Sequence, residues 1–278
     1  MSEYEDAVAA HYGAQDLLQQ IDAGLTAAGA DLNHLTLKDL APVDEFHIGG
    51  REATEYAVSK MSLSAGDQVL DVGCGLGGAA RYVAAEIGCS VAGIDLTPEY
   101  IEVAEVLTAR LDLSAALRLE TASALDMPFA DNAFDAAYSF HVAMNIRDRA
   151  GLYREIARVM RPGGTLLIYD VMKTGAEDIV FPVPWSETAE TSFLTSPEET
   201  KSLLEEAGFS VDEVEQRREF AIQFFRRRLG GNTSDGPPPP PPLSLHLVMG
   251  ETWREKFKNT LENTEAGRIA PVQMIARR

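Results

Sequence analysis

The middle of the chain alternates between short apolar runs, which predict buried strands, and segments with apolar residues at helical spacing. Strands that alternate with helices in this way are typical of a parallel sheet covered on both faces. The pattern therefore predicts an α/β fold. The predicted strands are 68–72, 90–95, 116–121, 134–139 and 164–171, and the predicted helices between them are 78–88, 98–112 and 149–160.

The segments that flank this region are predicted to be mainly helical. Residues 1–62 show apolar positions near a helical repeat, interrupted by Gly13, Gly24 and Gly29, and are predicted to form a lid. Residues 172–195 break the alternation with prolines and aromatic side chains, which predicts a lid loop at the carboxyl edge of the sheet. The remaining predicted elements are a helix from Ser196 to Ala207, a strand at 210–216, helices from Phe220 to Arg228 and from Leu243 to Glu265 with a proline-rich spacer between them, and a last strand at 270–276.

The most informative segment is Val69-Leu70-Asp71-Val72-Gly73-Cys74-Gly75-Leu76-Gly77-Gly78, in which an apolar strand turns into a helix through spaced glycines. Glycines at such a turn let a ligand approach the main chain and its free N–H groups. Gly73, Gly75 and Gly78 fit the G-x-G-x-x-G pattern of NAD-binding turns. Asp71 favours a ligand with a cationic group over a pyrophosphate, because a pyrophosphate would place two like charges close together. The amino group of S-adenosylmethionine meets that requirement.

Three further segments extend this pattern in order along the chain. Asp95 ends the next apolar run, where a carboxylate is placed to accept the ribose hydroxyls of a nucleoside. The other two are Asp126-Met127-Pro128-Phe129 with Asp131-Asn132-Ala133-Phe134-Asp135, and Val159-Met160-Arg161-Pro162-Gly163-Gly164. With the glycine turn, these segments resemble the motifs of the class I S-adenosylmethionine-dependent methyltransferases over residues 45–215.

The resemblance implies a Rossmann-like, seven-stranded and mostly parallel sheet. Residues 1–62 would form the helical lid, residues 63–216 the S-adenosylmethionine-binding core, and residues 217–278 a helical insertion followed by the last, antiparallel strand. The resemblance also implies the cofactor-binding residues. Ser123 stands where the family often has an aspartate that holds the adenine amino group, and a hydroxyl makes that bond more weakly. The complete set is Asp71, Gly73, Gly75, Asp95, Leu96, Ser123, Ala124, Leu125 and His141.

The candidates for catalysis and acceptor binding lie around this set. His141 follows the fourth strand, at the position that faces the methyl group in the family, and is predicted to contact the ligands or act as a general base. The alternative for His141 is a hydrogen-bonded wall residue. Tyr12 of the lid is the second catalytic candidate, with packing in a helical cap as its alternative. The predicted acceptor contacts are His47, Asn145 and Trp185.

Two devices for holding an acceptor are open at this point. Trp185, Phe181 and Tyr12 would form an aromatic cage for an ammonium group. Arg51, Arg81 or Arg147 would pair with an acceptor carboxylate.

The preferred acceptor is an amine of the glycine betaine route, such as sarcosine or dimethylglycine. The segment His47-Ile48-Gly49-Gly50 and the helical lid resemble the methyltransferases that act on these amines. A C- or O-methyltransferase of a quinone, terpenoid or polyketide is the alternative, because residues 181–185 allow a greasier lid. An NAD-dependent oxidoreductase and a non-catalytic S-adenosylmethionine-binding protein represent other classes.

Composition limits the partners. The formal net charge of −19 disfavours nucleic acid, because a negative surface repels phosphate backbones. No apolar run reaches membrane-spanning length, and the acidic N-terminus does not resemble a signal peptide. The two cysteines, Cys74 and Cys89, suggest neither a disulfide nor a metal site. We therefore predict a cytoplasmic protein that binds a small molecule and neither a membrane nor a metal. A homodimer is a further expectation.

Overall fold

The fold is described from a computed structural model, for residues 16–230 and 239–278. The predicted lid tyrosine, Tyr12, and most of the proline-rich spacer lie outside these residues. The helices are α1 (Leu17–Ala27), α2 (Leu37–Asp44), α3 (Arg51–Ser59), α4 (Gly78–Tyr82), α5 (Pro98–Ala109), α6 (Arg149–Val159), α7 (Pro197–Glu206), α8 (Arg218–Leu229), α9 (His246–Met249) and α10 (Trp253–Glu265). The strands are β1 (Gln68–Val72), β2 (Ser90–Asp95), β3 (Leu117–Thr121), β4 (Phe134–Phe140), β5 (Met160–Lys173), β6 (Ser210–Gln216) and β7 (Ile269–Arg277).

The seven strands form one sheet in the order β3-β2-β1-β4-β5-β7-β6. The first five strands are parallel to one another, whereas β7 runs antiparallel between β5 and β6. This arrangement confirms the predicted α/β fold with its inserted last strand. The chain order reverses between β1 and β4, and ligands bind at the carboxyl ends of strands on either side of such a point.

The two faces of the sheet are buried by alternate residues of each strand. In β1, Val69 packs on the face covered by α3 and α4, and Leu70 packs on the opposite face against α6 and α7. This alternation follows from the two-residue period of a strand. Because both faces are covered, inner strands such as β1, β2 and β5 read as mainly apolar runs in the sequence. The outer strands β3 and β6 are partly exposed and less apolar, and the place of the last strand followed from the family resemblance.

Several predicted boundaries are wrong for local reasons. The predicted helix 78–88 is an α-helix only to Tyr82 and continues as a π-helical turn, Val83–Ile87. The predicted helix from Leu243 to Glu265 is two helices, because Gly250 adopts a φ of 72° between them. Gly24 does not interrupt α1 but lies buried inside it, where a Cβ would meet the Pro242 carbonyl oxygen at 2.7 Å.

Three segments lie over the carboxyl edge of the sheet and are together called the cover: residues 17–50, 174–195 and 218–265. They pack on one another in a shared apolar cluster with members from α1, α8 and α10. Two asparagines of α10 fasten the middle segment. Asn259 Nδ2 donates to the Pro182 carbonyl at 3.0 Å, and Asn263 Nδ2 donates to the Val180 carbonyl at 2.8 Å.

Candidate cofactor and acceptor site

The glycine turn after β1 exposes its main chain to a ligand. Gly73, Gly75 and Gly77 all have positive φ, at 76°, 52° and 79°, a conformation that side chains with a Cβ rarely adopt. A Cβ on Gly73 would collide with the Val142 side chain, whereas a Cβ on Gly75 would meet no atom within 4 Å. Gly75 therefore borders open space, and its small size keeps that space free.

Asp71 is a buried carboxylate that no cation compensates. It is 2% exposed, and no basic side chain in the described part of the chain lies within 4.0 Å of its carboxylate oxygens. Burial raises its pKa well above the ordinary value. A carboxylate in this state gains from a cationic ligand, and so the residue fits the ammonium end of S-adenosylmethionine.

Asp95, at the end of β2, braces the glycine turn. Its Oδ2 accepts a hydrogen bond from Gly75 N at 2.9 Å, and its Oδ1 accepts one from Thr97 N at 2.9 Å. Burial raises its pKa, and these backbone hydrogen bonds lower it again. The carboxylate also lines the cavity described below, where each oxygen retains lone pairs for a ribose hydroxyl.

The loop after β3 forms the neighbouring part of the wall. Ser123 Oγ accepts a hydrogen bond from Leu125 N at 3.1 Å, which shapes the loop. Leu96, Ser123, Ala124 and Leu125 all line the same cavity as Asp71 and Asp95. The residues predicted for the methionine, ribose and adenine groups are therefore adjacent in space.

His141 is held at both ring nitrogens. Nδ1 donates to the Tyr169 carbonyl at 3.0 Å, and Nε2 accepts from the Ile48 N–H at 3.4 Å. Burial, together with nearby His47, lowers the pKa of His141 to about 3, and so the imidazole is neutral. This geometry matches the wall-residue alternative and leaves the ring no unengaged nitrogen for accepting a proton.

His47 occupies the buried turn between α2 and α3. Its ring stacks on Phe140 at 4.7 Å between centroids, and Nε2 donates to the Gly50 carbonyl at 3.2 Å. Burial lowers its pKa to about 3. Gly49 and Gly50 have positive φ, as the predicted tight turn requires.

Two of the arginines predicted for an acceptor carboxylate are paired with carboxylates of the protein. Arg81 Nη2 lies 2.7 Å from Asp44 Oδ2, and Arg51 Nε lies 2.5 Å from Glu45 Oε1. All four side chains are largely withdrawn from solvent. Arg51 and Arg81 therefore compensate the buried Glu45 and Asp44, and neither lines the cavity. The third candidate, Arg147, does line the cavity, with its guanidinium 5.1 Å from the centre of the Phe193 ring.

Asn145 and Trp185 both line the cavity, but their polar atoms serve the protein. Asn145 Nδ2 donates to the Trp185 carbonyl at 2.8 Å, and Trp185 Nε1 donates to Ser192 Oγ at 2.9 Å. They fasten the middle segment of the cover to the residues after β4. Phe181 does not belong to the cavity lining, and so the predicted cage of Trp185, Phe181 and Tyr12 is not assembled among the described residues.

These groups enclose one cavity of about 680 Å³ with two unlike walls. One wall, called the donor wall, consists of the residues at the carboxyl ends of β1 to β4: Asp71, Gly73, Gly75, Asp95, Leu96, Ser123, Ala124, Leu125 and His141. The other wall belongs to the cover and is mainly apolar and aromatic: Phe46, Ile48, Pro184, Trp185, Phe224, Phe225, Leu245, Val248 and Phe257.

Most of the cover's wall was missed by sequence reasoning. Asp44 and Glu45 were not singled out, although both line the cavity. Phe224 and Phe225 were predicted only as parts of a helix. The available signal was their place in an amphipathic segment, which does not separate a cavity wall from ordinary core.

Residues 16–230 and 239–278 contain neither a membrane-spanning helix nor a metal-binding cluster. No helix there has the length and apolar character needed to cross a membrane. No group of three or more histidine, cysteine, aspartate or glutamate side chains there could hold a metal ion.

Comparison with known proteins agrees with this geometry. Residues 70–168 match the model of a methyltransferase domain. Over 171 residues the chain is 33% identical to an O-methyltransferase from Pyrenophora dematioidea, a match covering 61% of this chain and 64% of that protein. The chain spans less than two thirds of the length of the curated relatives it matches.

Solved structures share the fold. Geranyl diphosphate C-methyltransferase from Streptomyces coelicolor A3(2) gives a TM-score of 0.71 at 17% identity, covering 100% of this chain and 98% of that chain. A protein of Galdieria sulphuraria, provisionally named a sarcosine dimethylglycine methyltransferase, gives a TM-score of 0.66 at 21% identity, covering 81% of this chain and 84% of that chain. The expected likeness to the sarcosine group is thus a likeness of fold, shared with proteins of other names.

The family match rules in favour of S-adenosylmethionine over NAD at the glycine turn, as Asp71 predicted. The donor wall, the sheet order and the matched segment lead to one conclusion: residues 70–168 belong to a methyltransferase domain, built on a sheet with the class I strand order.

Proposed function

We propose that the protein transfers a methyl group from S-adenosylmethionine to a small, largely apolar acceptor. The observation that carries this proposal is one cavity in which a wall with two carboxylates, those of Asp71 and Asp95, adjoins a wall of mainly aromatic and aliphatic side chains. When bound, S-adenosylmethionine supplies an electrophilic methyl group on a positively charged sulfur. The protein then has to hold the donor, align the acceptor and exclude water.

The donor wall divides the work of holding the cofactor. Asp71 receives the ammonium group, since it is buried without a cation and a positive ligand lowers the cost of its charge. Asp95 accepts from the ribose hydroxyls while keeping Gly75 N and Thr97 N in place. Ser123, Ala124 and Leu125 border the adenine.

The cover supports an apolar acceptor more strongly than the amine preferred from the sequence. Sarcosine and dimethylglycine each carry a carboxylate, which requires a cation in a buried site. Arg51 and Arg81 are already paired with Glu45 and Asp44, and the guanidinium of Arg147, which lines the cavity, lies 5.1 Å from the centre of the Phe193 ring. The cover's wall is mainly aromatic and aliphatic. The wall instead offers apolar contact to a terpenoid, quinone or polyketide, the alternative acceptor of the sequence analysis.

His141 serves this reaction as a positioning residue and not as a base. Its two hydrogen bonds join the end of β4 to β5 and to the cover at Ile48. A neutral imidazole with a pKa of about 3 is a weak proton acceptor at neutral pH. An acceptor that arrives deprotonated, such as a phenolate, releases no proton when it takes up the methyl group and therefore needs no base from His141.

The proposal is tested in two steps with the purified protein. Calorimetric titration with S-adenosylhomocysteine should show one site per chain, which Asp95→Ala weakens. Mass spectrometry then follows transfer of a deuterated methyl group to a panel of sarcosine, dimethylglycine, prenyl alcohols, phenols and quinols. Product with an apolar acceptor and none with the two amines is expected. Binding of S-adenosylhomocysteine with preferential methylation of the amines would overturn the acceptor class, and absence of binding would overturn the whole proposal.

A further inference from the structure

The Arg81 side chain joins three elements that meet beneath the cavity. It is fully buried and lies one turn into α4, directly after the glycine turn. Nη2 donates to the Leu76 carbonyl of the glycine turn at 2.6 Å and to Asp44 Oδ2 of the cover at 2.7 Å. Nη1 donates to the Ala104 carbonyl and to Thr108 Oγ1 of α5, at 3.3 and 3.2 Å. One guanidinium therefore fixes the glycine turn, the cover and α5 relative to each other.

The cover and the glycine turn are also in direct backbone contact. A Cβ built on Gly78 would collide with the Asp44 carbonyl oxygen, so that only glycine allows α2 to approach the start of α4 this closely. A Cβ on Gly77 would lie 2.9 Å from Arg81 Nη1. The Gly78 contact is independent of the ion pair and places the same two segments together.

The residues that follow Asp44 belong to the cover's wall of the cavity. Glu45, Phe46, His47 and Ile48 all line the cavity in succession. An energetic coupling between Asp44 and the glycine turn is therefore a coupling between the cover's wall and the donor wall. Helix α2 ends at Asp44 and so sets the position of residues 45–48. Thr36 and Asp39 cap its first turn reciprocally, which stabilises the helix.

We propose that Arg81 is a positioning residue that couples the binding of the methyl donor to closure of residues 44–50 over the acceptor space. The proposal rests on the donor site proposed above. A donor bound at Gly73 and Gly75 stabilises the glycine turn, and with it the Leu76 carbonyl that accepts from Arg81. Arg81 also donates to Asp44, so the same guanidinium holds the end of α2. The residues after Asp44 include Phe46 and Ile48, which line the cavity. Because the coupling is reciprocal, a cover detached from Arg81 weakens the donor site.

The test combines S-adenosylhomocysteine titration with hydrogen exchange, so that neither readout needs turnover. The variants are Arg81→Lys, which keeps the charge but loses the fork that reaches two partners, and Asp44→Asn, which keeps the shape. Arg158→Lys is the matched control. Arg158 also bridges carboxylates and main-chain carbonyls, those of Phe129 and Met127, but it lies outside the cavity lining.

In the wild type, S-adenosylhomocysteine should slow hydrogen exchange of residues 44–50. Arg81→Lys should raise the dissociation constant at least about tenfold, and Asp44→Asn should raise it by a smaller factor. Both variants should lose the ligand-dependent protection of residues 44–50. Arg158→Lys should keep the affinity and the protection even where its thermal stability falls.

The outcomes separate this inference from the donor site itself. Wild-type binding with unchanged affinity and protection in both variants would overturn the coupling and leave the donor site standing. If Arg81→Lys does not fold, Asp44→Asn decides, since its loss of protection supports the coupling and its wild-type behaviour overturns it. A wild type that binds no S-adenosylhomocysteine would remove the donor site and the coupling with it.

Discussion

The donor wall and the cover's wall face the same cavity but are built differently. The donor wall comes from strand ends that parallel pairing brings together, and each of its functions needs a particular residue type. Gly73 and Gly75 need positive φ, and Asp95 needs two acceptor oxygens for Gly75 N and Thr97 N. The cover's wall comes from segments as distant as Phe46, Trp185 and Phe257, and apolar volume is sufficient for its function.

This difference explains what the sequence could predict. The sheet follows from apolar runs, and the donor wall follows from glycines and acids at strand ends, because backbone geometry forces those residue types. Glycine at 75 is readable because a φ of 52° costs least in a residue without a Cβ, and the missing side chain leaves the cavity surface open. The role of these positions can therefore be predicted from a short segment of the sequence.

The cover's wall was not predictable, because its residues take their place in the cavity only through long-range packing. Phe224 and Phe225 look like ordinary core residues, and only the packing of α8 on α10 turns them toward a cavity. The roles of Arg51 and Arg81 were misjudged, because their partners Glu45 and Asp44 come from a turn whose position depends on tertiary contacts. The contact of Asn145 with an acceptor stays a prediction: the residue lines the cavity, and its amide nitrogen donates to the Trp185 carbonyl, a bond that the sequence did not indicate.

The largest expected effect is on the donor wall. Asp95→Ala removes two charge-assisted acceptors from the glycine turn together with the ribose contact, and should raise the dissociation constant of S-adenosylhomocysteine by about 30-fold or more. Asp67→Ala is the control, since Asp67 Oδ2 accepts from Ser64 N in a turn at the other end of β1. Calorimetry should show unchanged affinity in the control. Equal losses in both variants would mean that Asp95 acts through general stability.

Acid should weaken the region where the two walls meet. His47 and His141 have pKa values lowered to about 3, so the unfolded chain binds protons more readily than the folded protein below pH 6.5. Their contribution to stability is therefore complete above pH 6.5 and decreases as the pH falls toward 3. At pH 5 the loss is about 2 kcal/mol for each histidine.

Chemical denaturation at pH 7 and pH 5 tests this sign. His47→Gln should lose about 2 kcal/mol less than the wild type over that interval, because it has no proton to gain. Buried acids with raised pKa values act in the opposite direction, but they are the same in both proteins and cancel in the difference. The same pH dependence in both proteins would contradict the lowered pKa.

The cover's wall should respond in the opposite way to the donor wall. Phe224→Leu removes an aromatic contact from the acceptor space and should raise the KM of an apolar acceptor by about tenfold, with the affinity for S-adenosylhomocysteine unchanged. Phe209→Leu makes the same change at a buried phenylalanine of the core that does not line the cavity. Steady-state kinetics should show an unchanged KM in that control. A weaker donor affinity in Phe224→Leu alone would show that the walls are not separable in this way.

The smallest expected effect isolates the open surface at Gly75. Alanine at Gly75 and alanine at Gly66 both impose positive φ on a residue with a Cβ, at a cost of about 1 kcal/mol each. Neither Cβ would meet an atom within 4 Å, but only Gly75 borders the cavity. Both variants should lose similar thermal stability, and only Gly75→Ala should bind S-adenosylhomocysteine several-fold more weakly. Equal affinities in the two variants would argue against close approach of the donor to this turn.

A crystal structure of the complex with S-adenosylhomocysteine tests the contrast between the walls most directly. The account predicts the ribose at Asp95, the ammonium at Asp71, and an empty space beyond the sulfur bounded by Phe224, Phe225 and Phe257. A ligand bound away from Asp71 and Asp95, or a charged side chain turned into that remaining space, would contradict it.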